Sequence, residues 1–264
     1  MSIDLVLSGL KRDQKVISIS RLNPTFCREK DAIRQTVEKI LTSGYRRIAV
    51  LSNKGNLLGI ITTMDILDAF LRKQNFDEPI STIMSREVVF CDANDTVHFL
   101  LQKFKISRRG GFPVLDDRKL IAMVSERDIV KRFVGVPFNM TVDEIMTKKP
   151  FFIKPTISIF DATRILVNTH YRRLPILENG KLIGLITAVD LLKQIQACNF
   201  DMSKLHTPID SISIKQIHAV MRNQDISDAI RIMVTYDVGG LPVINSNNML
   251  EGIVTERDIL EEIV

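Results

Sequence analysis

Aromatic residues and cysteines are scarce in this sequence, and their scarcity argues against several kinds of function. Tryptophan is absent and only three tyrosines occur among 264 residues. The chain therefore has little material for the aromatic platforms on which single-stranded nucleic acids stack. Its cysteines, Cys27, Cys91 and Cys198, lie far apart and form no CxxC pair. Such an odd, scattered set is typical of reduced thiols in a cytoplasmic protein, not of a disulfide or zinc framework.

Long apolar runs and catalytic motifs are also missing. No apolar stretch approaches the ~20 residues that span a bilayer, and the N-terminal segment lacks the regions of a secretory signal. The four histidines stand apart from one another and from the cysteines, which gives no metal-ligand spacing. No nucleophile elbow, P-loop or dinucleotide-binding glycine motif occurs. We therefore expect a cytoplasmic protein with no membrane association, no metal and no catalytic activity.

Positive charge is concentrated in the first half of the chain. Residues 1–132 carry 23 Lys and Arg against 16 Asp and Glu, whereas residues 133–264 carry 13 against 15. A basic half can indicate an anionic partner such as a nucleotide or a nucleic acid. A solvated, lysine-rich surface explains the same numbers, so charge alone does not select a function.

One short phrase occurs four times, as GIITTMDIL, AMVSERDIV, GLITAVDLL and GIVTERDIL. Each copy places a serine or threonine three residues before an aspartate, at the start of an apolar run. The pairs are Thr62 with Asp65, Ser125 with Asp128, Thr187 with Asp190, and Thr255 with Asp258. Successive aspartates lie 63, 62 and 68 residues apart. This spacing exceeds that of solenoid repeats and suits a small unit of helices and strands.

Every repeat has the same predicted order of strand, helix, strand, strand and helix. In the third repeat, the apolar runs RRLPIL and KLIGLIT flank Asn179-Gly180, a strong hairpin signal. Three short strands and two helices cannot bury a sheet alone, so we expect the repeats to pair. The first and third phrases resemble each other, as do the second and fourth. This alternation indicates duplication of a two-repeat unit, with a boundary near residues 134–140.

The order hydrophobic-Pro-hydrophobic, turn, Gly-hydrophobic-hydrophobic-Thr-x-x-Asp resembles the cystathionine-β-synthase (CBS) domain, and four copies cover nearly the whole chain. The resemblance implies an α/β (α+β) fold of four CBS repeats, paired into two pseudo-twofold Bateman modules. The first module would be 1–133, with repeats at about 8–73 and 76–133, and the second 134–264, with repeats at about 139–197 and 206–264. Members of this family are mostly regulatory. They bind AMP, ADP, ATP, S-adenosylmethionine or sometimes NADH in the cleft between paired repeats.

Two interpretations of the repeated phrase stay open. A hydroxyl followed three residues later by an acid is a capping box, which stabilises a helix start by about 1 kcal/mol without any ligand. In the resembled family the same two positions contact the ribose and, in some members, the phosphate. A carboxylate there can accept hydrogen bonds from both ribose hydroxyls. The two roles are compatible, and Thr187/Asp190 and Thr255/Asp258 are the strongest ribose candidates.

Arginines beside the phrases are candidate phosphate ligands. Arg127 and Arg257, in SERD and TERD, are either balanced by the adjacent glutamates or reach a phosphate. Arginine doublets before the middle strands are either surface charge or further phosphate ligands. These doublets are Arg46 and Arg47, Arg108 and Arg109, and Arg172 and Arg173.

Apolar and small residues provide a candidate purine pocket. Repeat four has Gly239 and Gly240 before its middle strand, where a ligand can approach the backbone closely. Repeat three offers an apolar slot, although each of its members is also explained as core. The slot residues are Ile145, Met146, Leu174 and Pro175.

Two departures from the pattern weaken individual sites. Repeat one has Ile48-Ala49-Val50 where the other repeats have a proline in the middle position. Repeat two has Ala122 where the others have glycine. The additional methyl group is expected to narrow the site at Asp128.

Three functions follow from these observations. The leading hypothesis is a regulatory protein that binds an adenine nucleotide (AMP, ADP or ATP) or S-adenosylmethionine and modulates a protein target. Such a ligand acts only through different affinities for two arrangements of the modules. The alternatives are a ligand-independent scaffold and, less favoured, a nucleic-acid-binding protein that uses the basic first half. A monomer and a homodimer both stay open.

Overall fold

The chain folds into two compact units, each of which combines repeats that are not consecutive in the sequence. The structure is a computed structural model that describes residues 8–212 and 217–263. The first unit holds repeats two and four, and the second holds repeats one and three. Of the described residues, the first unit comprises 8–24, 89–150 and 218–263, and the second comprises 25–88, 151–212 and 217.

These units differ from the predicted modules, 1–133 and 134–264. The reason is that the helices following the repeated phrases pack between alternate repeats, and each unit has its own apolar core. The first core includes Phe112 of repeat two and Val254 of repeat four. The second includes Ile48 of repeat one and Leu174 of repeat three. The pairing of consecutive repeats around a ligand cleft stays a prediction.

Repeats one and two follow the predicted order of elements. The helices and strands of repeat one, with the additional short strand at its start, are β1 (Arg21–Leu22), β2 (Phe26–Arg28), α1 (Ile33–Ser43), β3 (Arg47–Leu51), β4 (Leu57–Thr62) and α2 (Thr63–Leu71). Those of repeat two are β5 (Cys91–Asp92), α3 (Val97–Ser107), β6 (Gly111–Asp116), β7 (Lys119–Ser125) and α4 (Glu126–Val130). The predicted order of strand, helix, strand, strand and helix is thereby confirmed for the first two repeats.

Repeats three and four repeat this order with one reduction. Repeat three, with the two short elements at its start, consists of α5 (Val142–Ile145), β8 (Thr147–Lys148), α6 (Ile159–Thr169), β9 (Arg173–Glu178), β10 (Lys181–Thr187) and α7 (Ala188–Ala197). Repeat four consists of β11 (Val220–Met221), α8 (Ile226–Thr235), β12 (Gly240–Ile244), β13 (Leu250–Thr255) and α9 (Glu256–Ile263). In repeat three the expected first strand is a single parallel bridge between Ile153 and Ile176.

Each repeat contains one antiparallel hairpin to which its first strand or bridge adds in parallel. The hairpins are β3–β4, β6–β7, β9–β10 and β12–β13. Asn179 and Gly180 connect β9 to β10 with φ angles of 50° and 79°. Positive φ at both residues is what a two-residue hairpin requires, so the predicted turn is confirmed.

The first residues of one repeat extend the sheet of another within the same unit. Strand β1, at the start of repeat one, pairs with β7 of repeat two. Strand β8, near the start of repeat three, pairs with β13 of repeat four. Ser85, near the start of repeat two, forms a bridge with Ile60 of repeat one. These additions bring residues from distant parts of the sequence to the strands that lead into the repeated phrases.

The part of the chain that the structure describes offers neither a membrane-spanning helix nor a metal-binding cluster. No helix within residues 8–212 and 217–263 combines the length and apolar character required to cross a bilayer. The same residues contain no group of three His, Cys, Asp or Glu side chains arranged to hold a metal ion.

Candidate functional site

All four repeated phrases form capping boxes at the starts of α2, α4, α7 and α9. In each, one aspartate oxygen, Oδ2, accepts hydrogen bonds from both the backbone N–H and the side-chain hydroxyl of the residue three positions earlier. The N–H bonds measure 2.7–3.0 Å and the hydroxyl bonds 2.5–2.8 Å. The capping interpretation is therefore confirmed. The paired residues are Thr62 and Asp65, Ser125 and Asp128, Thr187 and Asp190, and Thr255 and Asp258.

The second carboxylate oxygen distinguishes the repeats. In repeat two, Oδ1 of Asp128 accepts a hydrogen bond of 3.0 Å from Nε of Arg21, and the Asp128 side chain is only 9% exposed. Among the described residues, Oδ1 of Asp65 and Oδ1 of Asp190 have no hydrogen-bond partner, and both aspartates are half-buried. These two aspartates therefore retain an acceptor oxygen that a ligand hydroxyl can use.

The residue before each middle strand lies at the start of the capped helix. Its carbonyl accepts a hydrogen bond from the first helical N–H at 3.0–3.3 Å. Strand pairing then places the next residue opposite the capping serine or threonine. The carbonyl residues are Arg46, Gly110, Arg172 and Gly239, and the residues opposite the caps are Arg47, Gly111, Arg173 and Gly240.

This register corrects the predicted set of three arginine doublets. The counterpart of Arg46 and Arg47 in repeat two is Gly110-Gly111, not Arg108 and Arg109, which lie two residues earlier. Arg108 ends α3 in a left-handed conformation with φ of 52°. The doublet therefore recurs only in repeats one and three, whereas repeats two and four have paired glycines. Sequence spacing missed the offset because both pairs occur together in RRGG.

Gly111 has a steric reason to be glycine. A Cβ added there would lie 2.7 Å from the carbonyl oxygen of Val124 and 3.2 Å from the Ser125 side chain. Such a distance to a backbone atom cannot be relieved by a side-chain rotation. Repeat two therefore cannot carry an arginine at the position that Arg47 and Arg173 occupy in the other unit.

Arg127 and Arg257 form a reciprocal ion-pair cluster with Glu126 and Glu256. Arg257 donates from Nε and Nη2 to Oε1 of Glu126 at 2.8 and 2.7 Å, and Arg127 donates from Nε to Oε1 of Glu256 at 2.5 Å. Arg127 also donates from Nη1 to Asp237 at 2.6 Å. Glu126 and Glu256 are 5% and 6% exposed, so these carboxylates need cationic partners.

The cluster modifies the expectation that each glutamate balances the arginine next to it. Each glutamate instead pairs with the arginine of the other repeat, across the contact between α4 and α9. A sequence signal for this pairing exists, because the same Glu-Arg dipeptide occupies the same position in two repeats. A pseudo-twofold contact brings such identical positions together and pairs them reciprocally. A phosphate role for these two arginines stays a prediction.

The predicted purine residues are distributed between the two units. Ile145 and Met146 belong to the first unit, where Met146 packs against Gly252 of β13. Gly239 and Gly240 lie in the same unit, at the start of β12. Leu174 and Pro175 belong to the second unit, and Leu174 is fully buried in its core. The purine pocket stays a prediction.

Comparisons with known proteins agree with the repeat architecture. The CBS domain model matches residues 16–72, 80–135, 142–197 and 209–264. Uncharacterized protein MJ1225 of Methanocaldococcus jannaschii is 28% identical over 257 residues, which cover 87% of this chain and 91% of that protein. The crystal structure of MJ1225, a protein described as a suggested archaeal homologue of γ-AMPK, matches this chain with a TM-score of 0.87 at 26% identity. That match covers 95% of this chain and 100% of the MJ1225 chain.

A second solved structure shares the fold. An uncharacterized conserved protein from Pyrococcus horikoshii matches 95% of this chain and 100% of its own, with a TM-score of 0.66 and 18% identity. At this level of identity the match shows the fold alone. The four segments matched by the CBS domain model confirm the resemblance that the repeated phrases indicate.

Proposed function

Because the chain belongs to the CBS domain family, we propose that it is a regulatory protein that binds an adenosine-containing nucleotide and modulates a partner protein. The candidate ligands are AMP, ADP, ATP and S-adenosylmethionine. The proposal rests on the carboxylate of Asp190, in which one oxygen is hydrogen-bonded and the other is available to a ligand. Its Oδ2 is held by Thr187, while its Oδ1 has no hydrogen-bond partner among the described residues.

This arrangement suits a ribose diol. The two hydrogen bonds from Thr187 fix the orientation of the Asp190 carboxylate before any ligand arrives. Oδ1 has two lone pairs and can accept hydrogen bonds from both the 2′- and 3′-hydroxyls. Hydrogen bonds to a charged group contribute about 1.5–3 kcal/mol each when their partners are well aligned. A preorganised carboxylate can therefore supply much of the selectivity for an intact ribose.

Asp65 offers the same arrangement in repeat one, and both repeats carry an arginine opposite the cap. Arg47 pairs in register with Thr62, and Arg173 pairs in register with Thr187. A guanidinium at this position provides a cation for the phosphate of a nucleotide whose ribose is held by the aspartate. The likeness to MJ1225, described as a suggested archaeal homologue of γ-AMPK, supports a regulatory role in which catalysis belongs to the partner.

Isothermal titration calorimetry on ligand-stripped protein tests the proposal with AMP, ADP, ATP and S-adenosylmethionine. Removal of bound nucleotide is easily verified by absorbance at 260 nm, because the chain has no tryptophan and three tyrosines. We expect micromolar binding that weakens about 10- to 100-fold in Asp190→Ala, equivalent to losing about one charge-assisted hydrogen bond. A ligand at 100 times its Kd should also stabilise the protein by about 2.7 kcal/mol.

Glu144→Ala is the matched control for loss of a cap. Glu144 accepts the same two hydrogen bonds, from the N–H and hydroxyl of Thr141, at 2.6 and 2.8 Å, but lies outside the repeated phrases. The control should retain wild-type affinity. If no nucleotide binds, or if Glu144→Ala weakens binding as much as Asp190→Ala, the aspartates act only as caps. A ligand-independent scaffold then becomes the better description.

A further inference from the structure

Arg21 reaches the repeated phrase of repeat two from outside that repeat. Strand β1 carries Arg21 alongside β7, where it pairs in register with Met123, two residues before Ser125. From there its Nε contacts Oδ1 of Asp128 at 3.0 Å. The Arg21 side chain is 39% exposed and that of Asp128 is 9% exposed, so the contact covers the carboxylate from the solvent side.

Two other repeats have a small hydroxyl residue in the position of Arg21. Ser85 bridges Ile60, two residues before Thr62, and Thr147 pairs with Ile253, two residues before Thr255. The strand register is thus the same in all three repeats, and only the side chain differs. Serine and threonine are far shorter than arginine, whose length allows its guanidinium to reach the aspartate.

The contact with Arg21 uses the remaining acceptor of Asp128. Oδ2 already accepts from the N–H and hydroxyl of Ser125, at 2.8 and 2.5 Å. Oδ1 accepts from Arg21, so both oxygens are engaged. A ribose can use this carboxylate only if it displaces the Arg21 guanidinium from its ion pair with the nearly buried Asp128. Ala122, which pairs with Leu22 in the register, is fully buried in the apolar core of the unit, and a narrower site at Asp128 stays a prediction.

We infer that Arg21 is an internal occupant of the ribose position in repeat two and closes this repeat to nucleotides, while Asp65 and Asp190 keep an acceptor available. This inference rests on the proposed function, since it concerns the same type of carboxylate. It assigns the first strand of repeat one, β1, a role in setting how many nucleotides the chain binds. It also explains how one sequence can carry four similar phrases without four equivalent sites.

Arg21→Ser tests the inference because it installs the residue type found at this register in repeat one. Calorimetric titration with AMP should show one additional bound nucleotide per chain relative to wild type. The additional binding should disappear in Arg21→Ser/Asp128→Ala and with 2′,3′-dideoxyadenosine 5′-monophosphate, which lacks the diol. Lys15→Ser is the matched control: it removes a cation from the same segment, where Lys15 contacts Asn94, and should leave the stoichiometry unchanged.

The outcomes separate this inference from the proposed function. If wild type binds AMP but Arg21→Ser binds no additional equivalent, Arg21 does not close the site. If Arg21→Ser instead weakens the wild-type binding at least tenfold, Arg21 is a phosphate ligand and the inference is wrong. If neither protein binds any nucleotide of the panel, the proposed function fails and the inference fails with it. Arg21→Gln, a shorter and uncharged side chain that keeps part of the aliphatic stem of arginine, replaces Arg21→Ser if circular dichroism shows that the serine variant does not fold.

Discussion

Replacing Arg257 by methionine tests whether the Glu-Arg cluster holds repeats two and four together. The variant leaves the Glu126 side chain, 7% exposed, without its cation. Removing one partner of a buried ion pair costs about 3–5 kcal/mol, because the remaining charge stays desolvated and unpaired. The Arg257 side chain is 29% exposed, so water reaches this pair. We therefore expect the lower limit, a loss of about 3 kcal/mol in the unfolding free energy of the first unit.

Two further variants separate charge from packing. Glu126→Met/Arg257→Met removes the whole pair and leaves apolar side chains of similar volume. No unpaired buried charge remains, because Glu256 keeps its partner Arg127. Its stability should lie within about 1 kcal/mol of wild type, since such replacements are often neutral or stabilising. Arg231→Met removes an exposed ion pair with Asp228 in the same unit. This control should cost no more than about 0.5 kcal/mol.

Urea unfolding at pH 7, followed by far-UV circular dichroism, measures these differences without tryptophan fluorescence. For an m-value of about 2 kcal/mol/M, the Arg257→Met midpoint should fall by about 1.5 M. The corresponding Tm should fall by about 10 °C for a unit of this size. If Arg257→Met is as mild as Arg231→Met, or if the double variant is less stable than Arg257→Met, the cluster does not act as an interlocked pair of buried charges.

Three other predictions concern thiol reactivity, close packing and capping. Burial raises the pKa of the Cys91 thiol to about 11, so this thiol stays protonated at pH 8. Iodoacetamide should therefore label the half-buried Cys198 before Cys91, as followed by mass spectrometry. Equal labelling rates would contradict this. Gly59→Ala would place a Cβ 2.8 Å from the carbonyl oxygen of Ser85. This clash should lower the unfolding free energy, measured in urea, by about 1–3 kcal/mol. An unchanged unfolding free energy would show that the segment at Ser85 moves away from β4 easily. Thr187→Ala should cost about 1 kcal/mol by losing the cap of α7, and Thr187→Ser should restore it.

Local features of the fold were predictable because a few neighbouring residues determine them. The four capping boxes depend on side chains three positions apart, and all four form as the sequence indicates. The Asn179–Gly180 turn depends on two residues that tolerate positive φ. The recurring order of elements follows from apolar periodicity, and its fourfold repetition identifies the family. In repeat three the first strand shortens to a single bridge, because the chain at Pro155 lacks an N–H for further pairing.

Only the tertiary structure decided which of the repeated phrases keep an aspartate oxygen available to a ligand. Arg21 contacts Asp128 from 107 residues away, and Arg257 contacts Glu126 from 131 residues away. No local pattern encodes these partners, since they depend on which sheets receive extra strands and which helices pack together. The strand register also decided that glycines, not arginines, face the cap in repeat two.

The sequence by itself determined the four repeats, their capped helices and their hairpins, since these arise from interactions within a few residues. The tertiary structure determined that repeats two and four share one core and repeats one and three another. It also determined that Asp128 is covered while Asp65 and Asp190 retain an acceptor. Four nearly identical phrases become unequal because the surroundings of a carboxylate, set by long-range packing, decide which hydrogen bonds it has left to make.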